Sequence, residues 1–124
     1  MLVRIFLAVV GAAYAVLALW CALLPRSTSR SIGYELQPGG GQSEYFVVYG
    51  GLQVALGLIF LAPLLRPEYA MPSLEACLLI HALLVLMRTI SFFLYPGIGS
   101  TTYFLAASEW VIFLGSVFVW WRAA

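Results

Sequence analysis

Four long apolar stretches follow one another along the chain, and shorter polar segments separate them. The stretches cover residues 2–24, 44–65, 73–95 and 101–121, and the longest polar segment covers residues 25–43. An α-helix of about 20 apolar residues crosses the hydrocarbon core of a bilayer. The pattern therefore predicts an all-α fold, a four-helix transmembrane bundle built from a single membrane domain over residues 1–124, with both termini on the same side. The first stretch exceeds the apolar part of a signal peptide, so we expect a retained helix.

Two of the apolar stretches carry a charge near their middle. Arg88 lies in the third stretch and Glu109 lies in the fourth. A charge at bilayer depth is costly, so it is normally paired or lines a polar cavity. The glycine- and proline-containing turn at residues 96–100 lies midway between the two residues, and an antiparallel hairpin would bring them to the same depth. We therefore expect a buried Arg88–Glu109 ion pair.

Gln53 in the second stretch falls at about the same predicted depth as Arg88 and Glu109. Tyr45, Tyr49 and Gln53 recur at every fourth position of the second stretch, so they share one helix face. His81 shares the face of Arg88, although a lone histidine there is more often a hydrogen-bonded packing residue. The predicted polar core or ligand pocket consists of Arg88, Glu109, Gln53, Tyr49, His81, Tyr45 and Glu44.

Small residues in the first two stretches predict helix faces that another helix can approach closely. Gly11, Ala15, Ala18 and Ala22 are spaced to form one face of the first helix, and the second stretch contains Gly50 and Gly57. Such small residues allow transmembrane helices to approach closely.

The polar segment 25–43 is predicted to be a loop with one short helical turn around residues 32–36.

The two cysteines, Cys21 and Cys77, lie in parallel helices near opposite faces of the membrane in this topology. A disulfide needs Cα atoms within about 7 Å of each other. We therefore expect two free thiols.

Composition agrees with a membrane protein, because 64% of the residues are hydrophobic and only 9% are charged. Soluble domains contain about 25% charged residues. The net charge of +1 and the lack of a basic patch argue against a nucleic-acid partner. No motif for a metal, a cofactor or a catalytic nucleophile is present, so we expect none of these and no enzyme activity. The distribution of arginines favours cytoplasmic termini.

Several short motifs resemble those of a known family. They are Glu44-Tyr45, Tyr49-Gly50-Gly51, Gly57, Arg88, Gly97 and Glu109. The chain resembles a family of small bacterial four-helix integral membrane proteins, catalogued as a domain of unknown function and DoxX-like in broad architecture. The resemblance implies this fold, a shared polar core and a bacterial inner membrane, and it implies no activity. The turn at residues 95–97 departs from the usual turn of the family.

A polar layer inside an apolar bundle is a usual position for a binding site. We therefore expect a protein that binds a hydrophobic small molecule, a lipid of the surrounding bilayer, or a partner membrane protein, which includes a second copy of itself. Two alternatives stay open. One is a proton- or ion-coupled small transporter acting as a dimer, with Glu109 as the titrating acid and Arg88 as its counter-ion. The other is a quinone-linked redox accessory protein that uses His81 and Tyr49.

Overall fold

The computed structural model describes every residue from Met1 to Ala124, and its regular secondary structure is entirely helical. The helices are α1 (Leu2–Leu23), α2 (Pro25–Ser31), α3 (Gly40–Leu65), α4 (Ala70–Leu94) and α5 (Ser100–Ala123), with a 3₁₀ turn at Pro67–Tyr69 before α4. By length and composition, α1, α3, α4 and α5 are able to span a membrane, because each is long and apolar enough. The predicted all-α four-helix bundle is confirmed.

Helix α1 packs most extensively against α3, and α4 packs most extensively against α5. Backbone contact explains the first pairing. A Cβ atom added to Gly57 would lie 3.1 Å from the carbonyl oxygen of Gly11 and 3.2 Å from the amide nitrogen of Ala15. A Cβ atom on Gly50 would lie 3.4 Å from that of Ala22. The small-residue contact predicted from the sequence is therefore present.

All four long helices contribute to one apolar core. Its fully or almost fully buried members are Leu7, Val10, Phe60, Leu74, Cys77 and Val119. The outward faces are apolar as well, since Val16, Leu58, Leu79 and Val111 are between 63% and 72% exposed. A water-soluble protein seldom presents such a surface on every helix, whereas lipid is a suitable solvent for it.

The prediction for the polar segment 25–43 was wrong in three respects. Residues 25–31 form α2, and no helix is present at residues 32–36. Pro25 follows the end of α1 and begins α2, because its fixed φ suits the first position of a helix. Helix α3 then begins at Gly40, four residues before the predicted position 44.

Helix α3 is irregular at two places. Residues Phe46–Leu52 form a π-helical segment, and Pro63 lies inside the last part of the helix. Arg4 of α1 satisfies carbonyl groups at the end of α3, because its Nε donates to the oxygen of Pro63 at 3.0 Å and its Nη2 to that of Leu64 at 3.3 Å. A cation suits this end of a helix, where the carbonyl groups have no helical partners.

Candidate functional site

Arg88 of α4 and Glu109 of α5 form a two-point ion pair. The Nε of Arg88 donates to Oε2 of Glu109 at 3.0 Å, and its Nη2 donates to Oε1 at 2.5 Å. Their side chains are 28% and 14% exposed, respectively, so the pair is only partly buried within the protein. Two parallel charge-assisted hydrogen bonds fix the plane of a guanidinium as well as its position. The predicted contact between these two residues is confirmed.

An open cleft of about 490 Å³ lies beside this pair, at the end of the bundle where residues 30–34 approach residues 97–99. We call it the Arg88 cleft. Arg30, Tyr34, Tyr49, Arg88 and Thr102 contribute polar groups to its wall. Apolar groups come from Ile32, Ile98 and Leu105, while Glu109 does not line it. The cleft is therefore lined by cations, hydroxyl groups and apolar side chains.

Three tyrosines connect α3 to the preceding segment beside the cleft. The rings of Tyr45 and Tyr49 stack with centroids 4.5 Å apart. The hydroxyl of Tyr49 donates to that of Tyr34 at 3.3 Å, and the hydroxyl of Tyr45 donates to Oγ1 of Thr28 in α2 at 2.9 Å. Tyr49 lies within the π-helical segment, and such segments occur frequently at functional sites.

None of the other five residues of the predicted polar core hydrogen-bonds to the ion pair, and Gln53 and Glu44 do not line the cleft either. Gln53 makes no hydrogen bond to Arg88 or Glu109, and its Oε1 is buried without a partner. Glu44 is exposed on the first turns of α3. The prediction assumed a regular α-helix through residues 45–53, whereas the π-helical segment has more residues per turn.

His81 belongs to a different polar cluster inside the bundle. It is 0% exposed, its Nδ1 donates to the carbonyl oxygen of Cys77 at 2.8 Å, and the hydroxyl of Tyr14 donates to its Nε2 at 2.9 Å. Cys77 Sγ also lies 3.4 Å from Oγ of Ser116 in α5. His81 therefore packs as a hydrogen-bonded residue and does not line the Arg88 cleft. Sequence reasoning missed Tyr14, although a hydroxyl in the middle of an apolar helix signals a buried partner.

A smaller cavity of about 270 Å³ lies under α2, next to the Arg88 cleft. It shares Arg30 and Tyr34 with the cleft, and it is also lined by Arg26 and Glu35. The Arg88–Glu109 pair is the single salt bridge of the protein, so neither Arg26 nor Arg30 forms one.

Both cysteines are buried, and both are free thiols as expected.

Comparison with known proteins gives one result. A family model described as "Domain of unknown function (DUF4345)" matches residues 2–122, which include the ion pair and every residue of the cleft. No curated protein and no solved structure matches the chain.

Proposed function

The chain belongs to the family described as Domain of unknown function (DUF4345), and we propose that it is a non-enzymatic membrane protein that binds a hydrophobic small molecule or lipid in the Arg88 cleft. One observation carries this proposal. Arg88 lines a cleft of about 490 Å³, while Glu109, outside the cleft, accepts hydrogen bonds from Nε and Nη2 of its guanidinium. A concave site with a few fixed polar groups among apolar ones is typical of small-molecule binding.

Placement of Arg88 supports binding rather than a purely structural role. In a purely structural ion pair, the hydrogen-bonding groups of both side chains are satisfied within the protein. Here Nη1 of Arg88 makes no hydrogen bond within the protein. Hydrogen-bonding groups in the membrane are normally satisfied, because an unpaired donor in hydrocarbon is costly. Arg88 lines a cleft large enough to hold a ligand group that accepts a hydrogen bond from this nitrogen.

A coupled small transporter is the second candidate, because Glu109 is the one acid located near the middle of a membrane-spanning helix. Both of its carboxylate oxygens accept hydrogen bonds from Arg88. A proton carrier that used Glu109 would have to break both hydrogen bonds in each cycle. A quinone site shared by His81 and Tyr49 has less support, since His81 is fully buried against Tyr14.

Filling the cleft tests the proposal without removing a charge. Thr102 lines the cleft, whereas Ser108 is half-buried on the same helix, donates to the carbonyl oxygen of Phe104 and does not line the cleft. Protein purified in mild detergent is analysed by native mass spectrometry and by extraction of bound lipids. We expect Thr102→Phe to lose a copurifying hydrophobic molecule that the wild type and Ser108→Phe retain. Equal retention by all three proteins, or no bound molecule in any of them, would contradict the proposal.

The wider setting is also part of the proposal. We place the protein in a bacterial inner membrane, with DoxX-like architecture, cytoplasmic termini, and a second copy or another membrane protein as a partner. The arginine distribution and the motif resemblance support this setting.

A further inference from the structure

We propose that the ligand of the Arg88 cleft is an anionic amphiphile, whose single phosphate or carboxylate group contacts Arg30 and Arg88. This inference rests on the proposed function and adds the charge and the chemical class of the ligand. The evidence comes from the charges, the hydrogen-bonding groups and the apolar groups that line the cleft.

Charge gives the first argument. Two cations, Arg30 and Arg88, line the cleft, and no aspartate or glutamate does. The carboxylate of Glu109 balances only one of these cations, and it does so from outside the cleft. The lining therefore keeps one positive charge without a counter-ion. A ligand with one negative charge would neutralise it, which matters most next to a low-dielectric bilayer.

Hydrogen-bonding groups give the second argument. Three residues that line the cleft have donors without an acceptor in the protein, namely Nη1 of Arg88, the guanidinium of Arg30 and the hydroxyl of Thr102. The hydroxyl of Tyr34 accepts from Tyr49, so its own hydrogen is also available to a ligand. A site rich in donors suits the oxygens of a phosphate or carboxylate, which accept several hydrogen bonds at once.

Apolar groups give the third argument. Ile32, Ile98 and Leu105 line the same cleft as the two arginines. A small water-soluble anion would leave these side chains without a partner, whereas an amphiphile places an apolar body against them. Phospholipids and fatty acids share this chemistry, so the experiment contains an arm for each.

Selective retention of lipids tests the inference, and α2 offers a matched control. The full-length protein is incubated in mixed micelles with equal amounts of phosphatidylglycerol and phosphatidylcholine of the same acyl chains, and retained lipid is counted by native mass spectrometry. Arg30 lines the cleft, whereas Arg26, one turn earlier on α2, does not. We expect the wild type to prefer phosphatidylglycerol by about tenfold, as for one charge-assisted hydrogen bond. Arg30→Gln should abolish this preference, and Arg26→Gln should keep it.

Two further arms identify the source of the anion. A fatty acid of the same chain length replaces phosphatidylglycerol in one arm, and glycerol 3-phosphate, which has no acyl chain, is added as a competitor in the other. Stronger retention of either the fatty acid or phosphatidylglycerol supports the inference and identifies the acidic group. Full competition by glycerol 3-phosphate would overturn it, because the site would then recognise a soluble anion.

Other outcomes separate this inference from the proposed function. Equal loss of preference in Arg26→Gln and Arg30→Gln would overturn the inference, since general attraction to the α2 surface would explain the result. Equal retention of both lipids, abolished by Thr102→Phe, would leave the proposed function in place and remove the anionic preference. Retention of neither lipid nor fatty acid would overturn the inference, and the copurification experiment with Thr102→Phe would then decide the proposed function separately.

Discussion

The hydroxyl of Ser73 in α4 donates to the carbonyl oxygen of Ile59 in α3, with an Oγ–O distance of 2.9 Å. Ile59 lies four residues before Pro63, which has no amide hydrogen, so its carbonyl group lacks the normal partner within the helix. Ser73 is only 5% exposed. A side chain from a neighbouring helix thus satisfies the backbone group that the proline leaves free, as membrane helices require.

Ser73→Ala should destabilise the protein only while Pro63 is present. The change leaves the Ile59 carbonyl group unpaired, and such interhelical hydrogen bonds contribute about 0.6–1.7 kcal/mol in membrane proteins. Pro63→Ala restores an amide hydrogen, so Ser73→Ala should cost much less in that background. The free energy of unfolding in a denaturing detergent is measured for the wild type, the two single variants and the double variant. An equal cost of Ser73→Ala in both backgrounds would show that the hydroxyl acts in some other way.

Removing one member of the Arg88–Glu109 pair should do more harm than removing both. Arg88→Met leaves the carboxylate of Glu109 without a counter-ion, and Glu109→Gln leaves the guanidinium of Arg88 without one. Breaking buried pairs costs about 3–5 kcal/mol in soluble proteins, and the exposure of 28% and 14% places this pair below that range. The double variant should recover most of the detergent stability and still lose ligand binding. If both single variants are as stable as the wild type, the charges contact solvent rather than each other.

Gly57→Ala should destabilise the contact between α1 and α3. The new methyl group would approach backbone atoms of Gly11 and Ala15 at 3.1 and 3.2 Å, and backbone atoms cannot rotate away. Overpacking of this kind costs about 1–3 kcal/mol. Gly51→Ala is the matched control, because its methyl group would meet no atom within 4 Å. The midpoint temperature of thermal aggregation in detergent should be lower for Gly57→Ala than for Gly51→Ala. Equal midpoints would contradict the close approach of α1 and α3 at Gly57.

Tyr14→Phe should lower stability through His81. The variant keeps the ring but removes the hydroxyl that donates to Nε2 of His81, which is fully buried. A loss of about 0.6–1.7 kcal/mol is expected from hydrogen bonds between membrane helices. Tyr103→Phe provides the comparison, since Tyr103 is 54% exposed and its ring stacks on Phe92 without a hydrogen bond from its hydroxyl. The same detergent unfolding assay applies, and equal unfolding midpoints for the two variants would exclude a contribution from the Tyr14–His81 bond.

Cysteines introduced at positions 40 and 98 should react with a membrane-impermeant maleimide from the same side. Gly40 begins α3 and Ile98 lies between α4 and α5, so two membrane spans separate them. Native Cys21 and Cys77 are buried, and they should stay unlabelled until the protein is unfolded. Labelling of the two positions from opposite sides would contradict a four-span topology.

Some features of the site were accessible from the sequence, because they depend on short distances along the chain. A turn of a few residues between two apolar helices places Arg88 and Glu109 at the same depth, and the cost of an unpaired charge in hydrocarbon requires that they meet. The small residues Gly11 and Gly57 similarly indicated which faces approach closely. Both inferences need only helical periodicity and the solvent properties of lipid.

Tertiary structure decided the features that depend on helix irregularity and on the packing of distant segments. The π-helical segment Phe46–Leu52 alters the periodicity that the prediction for Gln53 had assumed. Tyr14 contacts His81 across 67 positions of sequence, and no local pattern specifies that pairing. The Arg88 cleft likewise requires residues 30–34 to fold back onto α3, α4 and the α4–α5 turn. Sequence by itself determined the four apolar helices and the ion pair, because local hydrophobicity and depth control both. Only the packed bundle decided which polar groups share a cavity, since that depends on the rotation of each helix about its own axis.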